Sequence, residues 1–81
     1  MDKEQIMSKL TALFQELFED DDIVLTEQTT AKDIDDWDSL AHLELISTVE
    51  AEFKIRFTLG EINSFANVGE MCGCIMKHLE A

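Results

Sequence analysis

Asp36-Trp37-Asp38-Ser39-Leu40-Ala41-His42-Leu43-Glu44-Leu45-Ile46-Ser47-Thr48-Val49-Glu50-Ala51-Glu52-Phe53 is the stretch on which the fold turns. Leu40, Leu43, Ile46, Val49 and Phe53 recur at helical spacing, which predicts a helix over 39–53 with these residues as its inner stripe. His42, Glu44, Ser47, Glu50 and Glu52 fall mainly outside that stripe. Asp38 is a good N-cap, because its short carboxylate can accept from the unpaired N–H groups of the first turn. Ser39 therefore sits where the helix dipole is positive, and a phosphate ester on its hydroxyl would be favoured there.

Working outward, residues 3–18 read as an amphipathic helix whose apolar face is Ile6, Leu10, Leu13, Phe14 and Leu17. Asp2 and Gln5 have capping-box spacing. The carboxylate run Glu19-Asp20-Asp21-Asp22 opposes the dipole and ends this helix. Residues 20–38 form a long connection with one turn near Thr30 to Ile34; Ile23, Val24, Leu25 and Ile34 are candidates to pin it down. A connection this long is either functional or an argument against the assignment, and this one leads directly to Ser39.

After the central helix, residues 54–57 read as an extended connection. Thr58 with Glu61 opens a short third helix through Phe65, and Asn67 with Glu70 opens a fourth to about Leu79. The stripe of the fourth is Val68, Met71, Cys72, Ile75, Met76 and Leu79. Gly73 costs it about 1 kcal/mol relative to alanine. The expected architecture is an all-α four-helix bundle with a long first loop and a short third helix, spanning 1–81 as a single domain. Its expected core is lined by Leu43, Ile46, Phe57, Ile62, Phe65, Met71 and Ile75.

Charge narrows the partners. The chain has 18 acidic and 6 basic side chains and a formal net charge of -12. Residues 16–52 hold thirteen of the acids against one base, Lys32. Nucleic acid and anionic membrane surfaces would be repelled, whereas proteins with basic patches would be attracted. No apolar run reaches the length of a membrane span and no signal peptide opens the sequence, so a cytoplasmic location is expected. Cys72 and Cys74 point to nearly opposite helix faces; they are read as unpaired, Cys72 buried and Cys74 more exposed. Two thiols are read as too few for a zinc site, and no metal site is expected.

Asp38-Ser39-Leu40, followed in register by Leu43-Glu44-Leu45-Ile46, Val49-Glu50 and Phe53-Lys54-Ile55, resembles the signature of acyl carrier proteins. The first helix, the acidic loop and Phe65-Ala66-Asn67-Val68-Gly69 are similar too, so the resemblance covers nearly the whole chain. It implies a carrier, not an enzyme, with 4′-phosphopantetheine attached covalently to Ser39. Asp38 would assist recognition by the phosphopantetheinyl transferase. Glu44, Glu50 and Glu52 would present carboxylates to basic patches on the acyl-transferring enzymes of fatty-acid, polyketide or related biosynthesis. A monomer is expected. Trp37 stands where many fatty-acid carriers have glycine and an aliphatic residue, and Ala41-His42 follows where many have an acid. These departures point toward a specialised pathway as readily as a housekeeping one. Trp37 is either a cover over the core entrance, a partner contact or a partly buried packing residue.

Three rivals compete. A calcium loop framed on Asp33, Asp35 and Glu44 puts Trp37 at a ligand position and Asp38 where glycine is needed. A hydrolase using Asp38, Ser39 and His42 shows no pocket, oxyanion donor or orienting partner in the sequence, and His42 reads as an exposed surface residue. An acidic adaptor without a prosthetic group explains the charge but leaves the Asp-Ser-Leu context unexplained.

Overall fold

Asp2 starts the fold. In the computed structural model, which describes residues 2–34 and 36–80, its carboxylate accepts the Gln5 N–H while the Gln5 side chain accepts the Asp2 N–H. This capping box opens α1, Lys3–Leu17. The remaining helices are α2 (Ser39–Phe53), α3 (Leu59–Ser64) and α4 (Val68–Glu80), with a 3₁₀ turn at Ala31–Asp33. Among the described residues there is no strand, and no helix is long and apolar enough to cross a membrane.

α1 packs on both α2 and α4. Ile6, Leu10 and Phe14 of α1 are fully buried against Leu45, Ile46 and Val49 of α2 and Val68, Met71, Cys72 and Ile75 of α4. Ile23, Leu25, Trp37, Phe53 and Phe57 complete the core. The expected inner stripe of α2 is corrected in one respect. Leu40 and Leu43 are 69% and 58% exposed, while Leu45 is fully buried. Apolar residues lie around most of the α2 circumference, so spacing alone cannot choose a side. The side turned toward α1 is the one that is buried. Ile62 and Phe65, also expected in the core, are half-buried and pack against its edge.

The long connection has a structural task. Its extended start buries Ile23 and Leu25 and leaves Val24 79% exposed. The Gln15 side-chain amide donates to the Ile23 carbonyl at 2.9 Å. Further on, Val68 N–H donates to the Thr29 carbonyl (2.8 Å) and Gly69 N–H to the Glu27 carbonyl (2.9 Å). Asn67 Oδ1 takes the Glu70 N–H at 2.9 Å. The unpaired donors that open any helix are thus met, for α4, largely by backbone of the loop. Gly69 is required for this approach, since a Cβ there would lie 2.8 Å from the Glu27 carbonyl oxygen. Gly73, by contrast, faces open space.

Candidate functional site

The site is built at the start of α2. Asp38 is its N-cap: Oδ1 accepts the Ala41 N–H at 2.8 Å, and the Asp38 carbonyl accepts the His42 N–H at 2.8 Å. Ser39 is the first helical residue and is exposed. The N–H groups of Ser39 and Leu40 precede the first intrahelical bond, so they and the helix dipole favour an anion there. Beside Ser39 runs an open groove of about 600 Å³ whose walls include Trp37, His42, Leu43, Ile62 and Phe65.

Trp37 and His42 hold the groove together. The Trp37 ring is buried, meets Phe14 edge-on with centroids 5.1 Å apart, and stacks on His42 at 5.9 Å. Trp37 Nε1 donates to His42 Nδ1 at 3.1 Å, and His42 Nε2 lies 3.2 Å from the Ile62 carbonyl. The tautomer with its proton on Nε2 satisfies both contacts. His42 is therefore a half-buried bridge from α2 to α3 and not the exposed residue expected from sequence. Both ring nitrogens are committed to this bridge, which leaves neither for activating Ser39 in a hydrolase. A signal for it existed: Trp37 and His42 occupy the N′ and N4 positions of α2, the pair that forms a staple across a helix start.

The three glutamates differ in their settings. Glu44 is exposed. Glu52 is exposed and lies 3.8 Å from Lys9 of α1, a pairing worth little at the surface. Glu50 is half-buried, and Oε2 accepts the Phe57 N–H at 2.7 Å. Glu50 therefore has a structural task beside the partner-facing one that the resemblance implies. Of the calcium frame, Asp33 is spent capping the 3₁₀ turn, where Oδ2 accepts the Thr30 N–H at 2.9 Å, and Asp38 caps α2. Asp35 lies outside the described residues.

A second cluster, missed from sequence, joins α3 to α4. Glu61 accepts the Thr58 N–H at 2.8 Å, lies 2.9 Å from His78 Nε2, and takes a hydrogen bond from the Cys74 thiol at 3.3 Å. The Thr58 N–H, then His78 and Cys74, lower the Glu61 carboxyl to about 2. Burial, with the Glu61 carboxylate beside it, raises the Cys74 thiol to about 11. The i, i+4 spacing of Cys74 and His78 was visible; the approach of Glu61 was not.

The helices thus present an exposed serine at a helix start beside an open groove. Residues 8–75 match the family model described as phosphopantetheine attachment site. The solution structure of a holo acyl carrier protein from Geobacter metallireducens superposes with a TM-score of 0.87 at 46% identity, covering 91% of this chain and 85% of that one. No curated protein matches. The chain belongs to the acyl carrier protein family. Its cofactor is a covalently attached phosphopantetheine, and the family carries substrates rather than transforming them.

Proposed function

We propose that the chain carries acyl intermediates on a 4′-phosphopantetheine arm attached to Ser39 and delivers them to partner enzymes of fatty-acid, polyketide or related biosynthesis. The observation that carries this reading is the exposed Ser39 at the first position of α2, in a chain matching the attachment-site family over residues 8–75. When bound, the group supplies a terminal thiol on a flexible arm, which holds an acyl group as a thioester at high effective concentration near each partner.

The chain's own residues do the rest. Asp38 fixes the helix start and so the direction of the Ser39 side chain, and it stands next to the serine for recognition by the transferase. The free N–H groups of the first turn favour the phosphodiester. Leu43, Ile62 and Phe65 offer apolar wall to whatever the arm bears. Glu44 and Glu52 present carboxylates to basic partner surfaces, with Glu50 adding charge from a more structural position. We further read residues 1–81 as one monomeric carrier domain acting in the cytoplasm.

Intact mass after incubation with coenzyme A, magnesium and a broad-specificity phosphopantetheinyl transferase tests the attachment. Wild type should gain one phosphopantetheine group and Ser39→Ala none, while Ser39→Ala keeps its helicity. Loading of Ser39→Ala would refute the assignment, and failure of wild type to load would favour the acidic adaptor. Glu44→Lys should slow transfer at low salt, and added salt should narrow the difference from wild type.

A further inference from the structure

We propose that Glu61, Cys74 and His78 form a binding site for a zinc ion that clasps α3 to α4, independent of the arm on Ser39. The three side chains offer one oxygen, one sulfur and one nitrogen, and the three ligand atoms lie within 4.8 Å of one another. Glu61 Oε1 is 2.9 Å from His78 Nε2, and Cys74 Sγ is 3.3 Å from Glu61 Oε2. Tetrahedral zinc at ordinary bond lengths separates such donors by about 3.3–3.6 Å, so the Glu61–His78 and Glu61–Cys74 pairs are already near that spacing, and Cys74 and His78 lie within 4.8 Å of each other.

Each donor is already held. Glu61 is anchored by the capping box at the start of α3 through the Thr58 N–H. Cys74 and His78 are one turn apart on the same face of α4. The His78 and Phe57 rings meet nearly perpendicular, with centroids 5.6 Å apart. All three are half-buried, which excludes part of the solvent and leaves the fourth position open to water.

The donor chemistry selects the ion. A thiolate and an imidazole suit zinc or cobalt, whereas magnesium and calcium seek all-oxygen sites. Thiolate and carboxylate together match a double positive charge. Binding exchanges the present hydrogen bonds for coordination: the Cys74 thiol proton leaves to solvent, and His78 binds through Nε2 with its remaining proton on Nδ1. The outcome is a tie between a six-residue helix and the bundle.

The test uses the full chain carrying Ser39→Ala, so that no arm thiol competes. Titration with Co²⁺ should give a thiolate-to-cobalt charge-transfer band saturating at one equivalent. Zn²⁺ should abolish the band and excess Mg²⁺ should not. Cys74→Ser should remove the band and Cys72→Ser should keep it. His78→Ala should weaken Zn²⁺ binding by at least about 100-fold, since losing even a supporting contact around a metal costs about 10–100-fold. Circular dichroism checks each variant for helicity, and Cys74→Ala replaces Cys74→Ser should the latter unfold. Absence of a thiolate band, its persistence in a folded Cys74 variant, or unchanged Zn²⁺ affinity in His78→Ala would overturn the site. None of these results depends on whether Ser39 is the attachment point.

Discussion

The Glu50 carboxylate, on the last turn of α2, accepts the backbone N–H of Phe57 at 2.7 Å. Between them the chain reverses: the α2 cap residue Lys54 takes a left-handed conformation at φ 56°, and Ile55 N–H returns to the Glu50 carbonyl. One residue thus closes this corner twice, through its backbone and its side chain. Phe57 is buried, so its N–H has little access to water if Glu50 is lost. Glu50→Ala should cost about 1–3 kcal/mol. Glu44→Ala, on the exposed side, should stay within about 0.5 kcal/mol of wild type. Urea unfolding compares them, and equal midpoints for the two variants would show that the Glu50 bond contributes nothing.

The two apolar neighbours on α2 should behave oppositely. Ile46 is 3% exposed and Leu43 is 58% exposed. Ile46→Asp buries an unpaired charge and should unfold the domain, whereas Leu43→Asp should leave the melt close to wild type. A cooperative melt of Ile46→Asp near the wild-type temperature would place the core elsewhere.

The two α4 glycines should also diverge. Gly69→Ala drives a Cβ against the Glu27 backbone and should cost about 1–3 kcal/mol. Gly73→Ala meets nothing within 4 Å and should gain up to about 1 kcal/mol from helix propensity. Denaturant midpoints suffice; stabilisation by both would mean that the loop yields freely at Glu27.

Glu61 gives a pH dependence of known sign. Its carboxyl sits at about 2 in the fold against an ordinary 4.5, held down by the Thr58 N–H first and by His78 and Cys74 next. A depressed carboxyl stabilises the fold above its ordinary value, and that contribution disappears as pH falls from about 4.5 toward 2. Glu61→Gln lacks this titration. The stability difference between wild type and Glu61→Gln should therefore be largest near neutral pH and shrink below pH 4.5. A difference that stays constant down to pH 2.5 would contradict the assignment.

What the sequence determined by itself is what one helical turn can contain. The capping boxes at Asp2–Gln5 and Thr58–Glu61, the Asp38 cap, the span 39–53 and the place of Ser39 all follow from groups three or four residues apart, and the structure has them there. The acyl carrier resemblance rested on the same local register. Only the tertiary structure decided which side of α2 faces inward, because Leu43 and Leu45 are equally apolar and burial depends on what lies above them. It also turned Glu50 onto Phe57, set His42 between Trp37 and the Ile62 carbonyl, and brought Glu61 to Cys74 and His78. Glu61 lies 13 and 17 residues from those two partners, so no periodicity within a helix links them. Their meeting is set by how α3 docks on α4, which depends on packing across the whole chain.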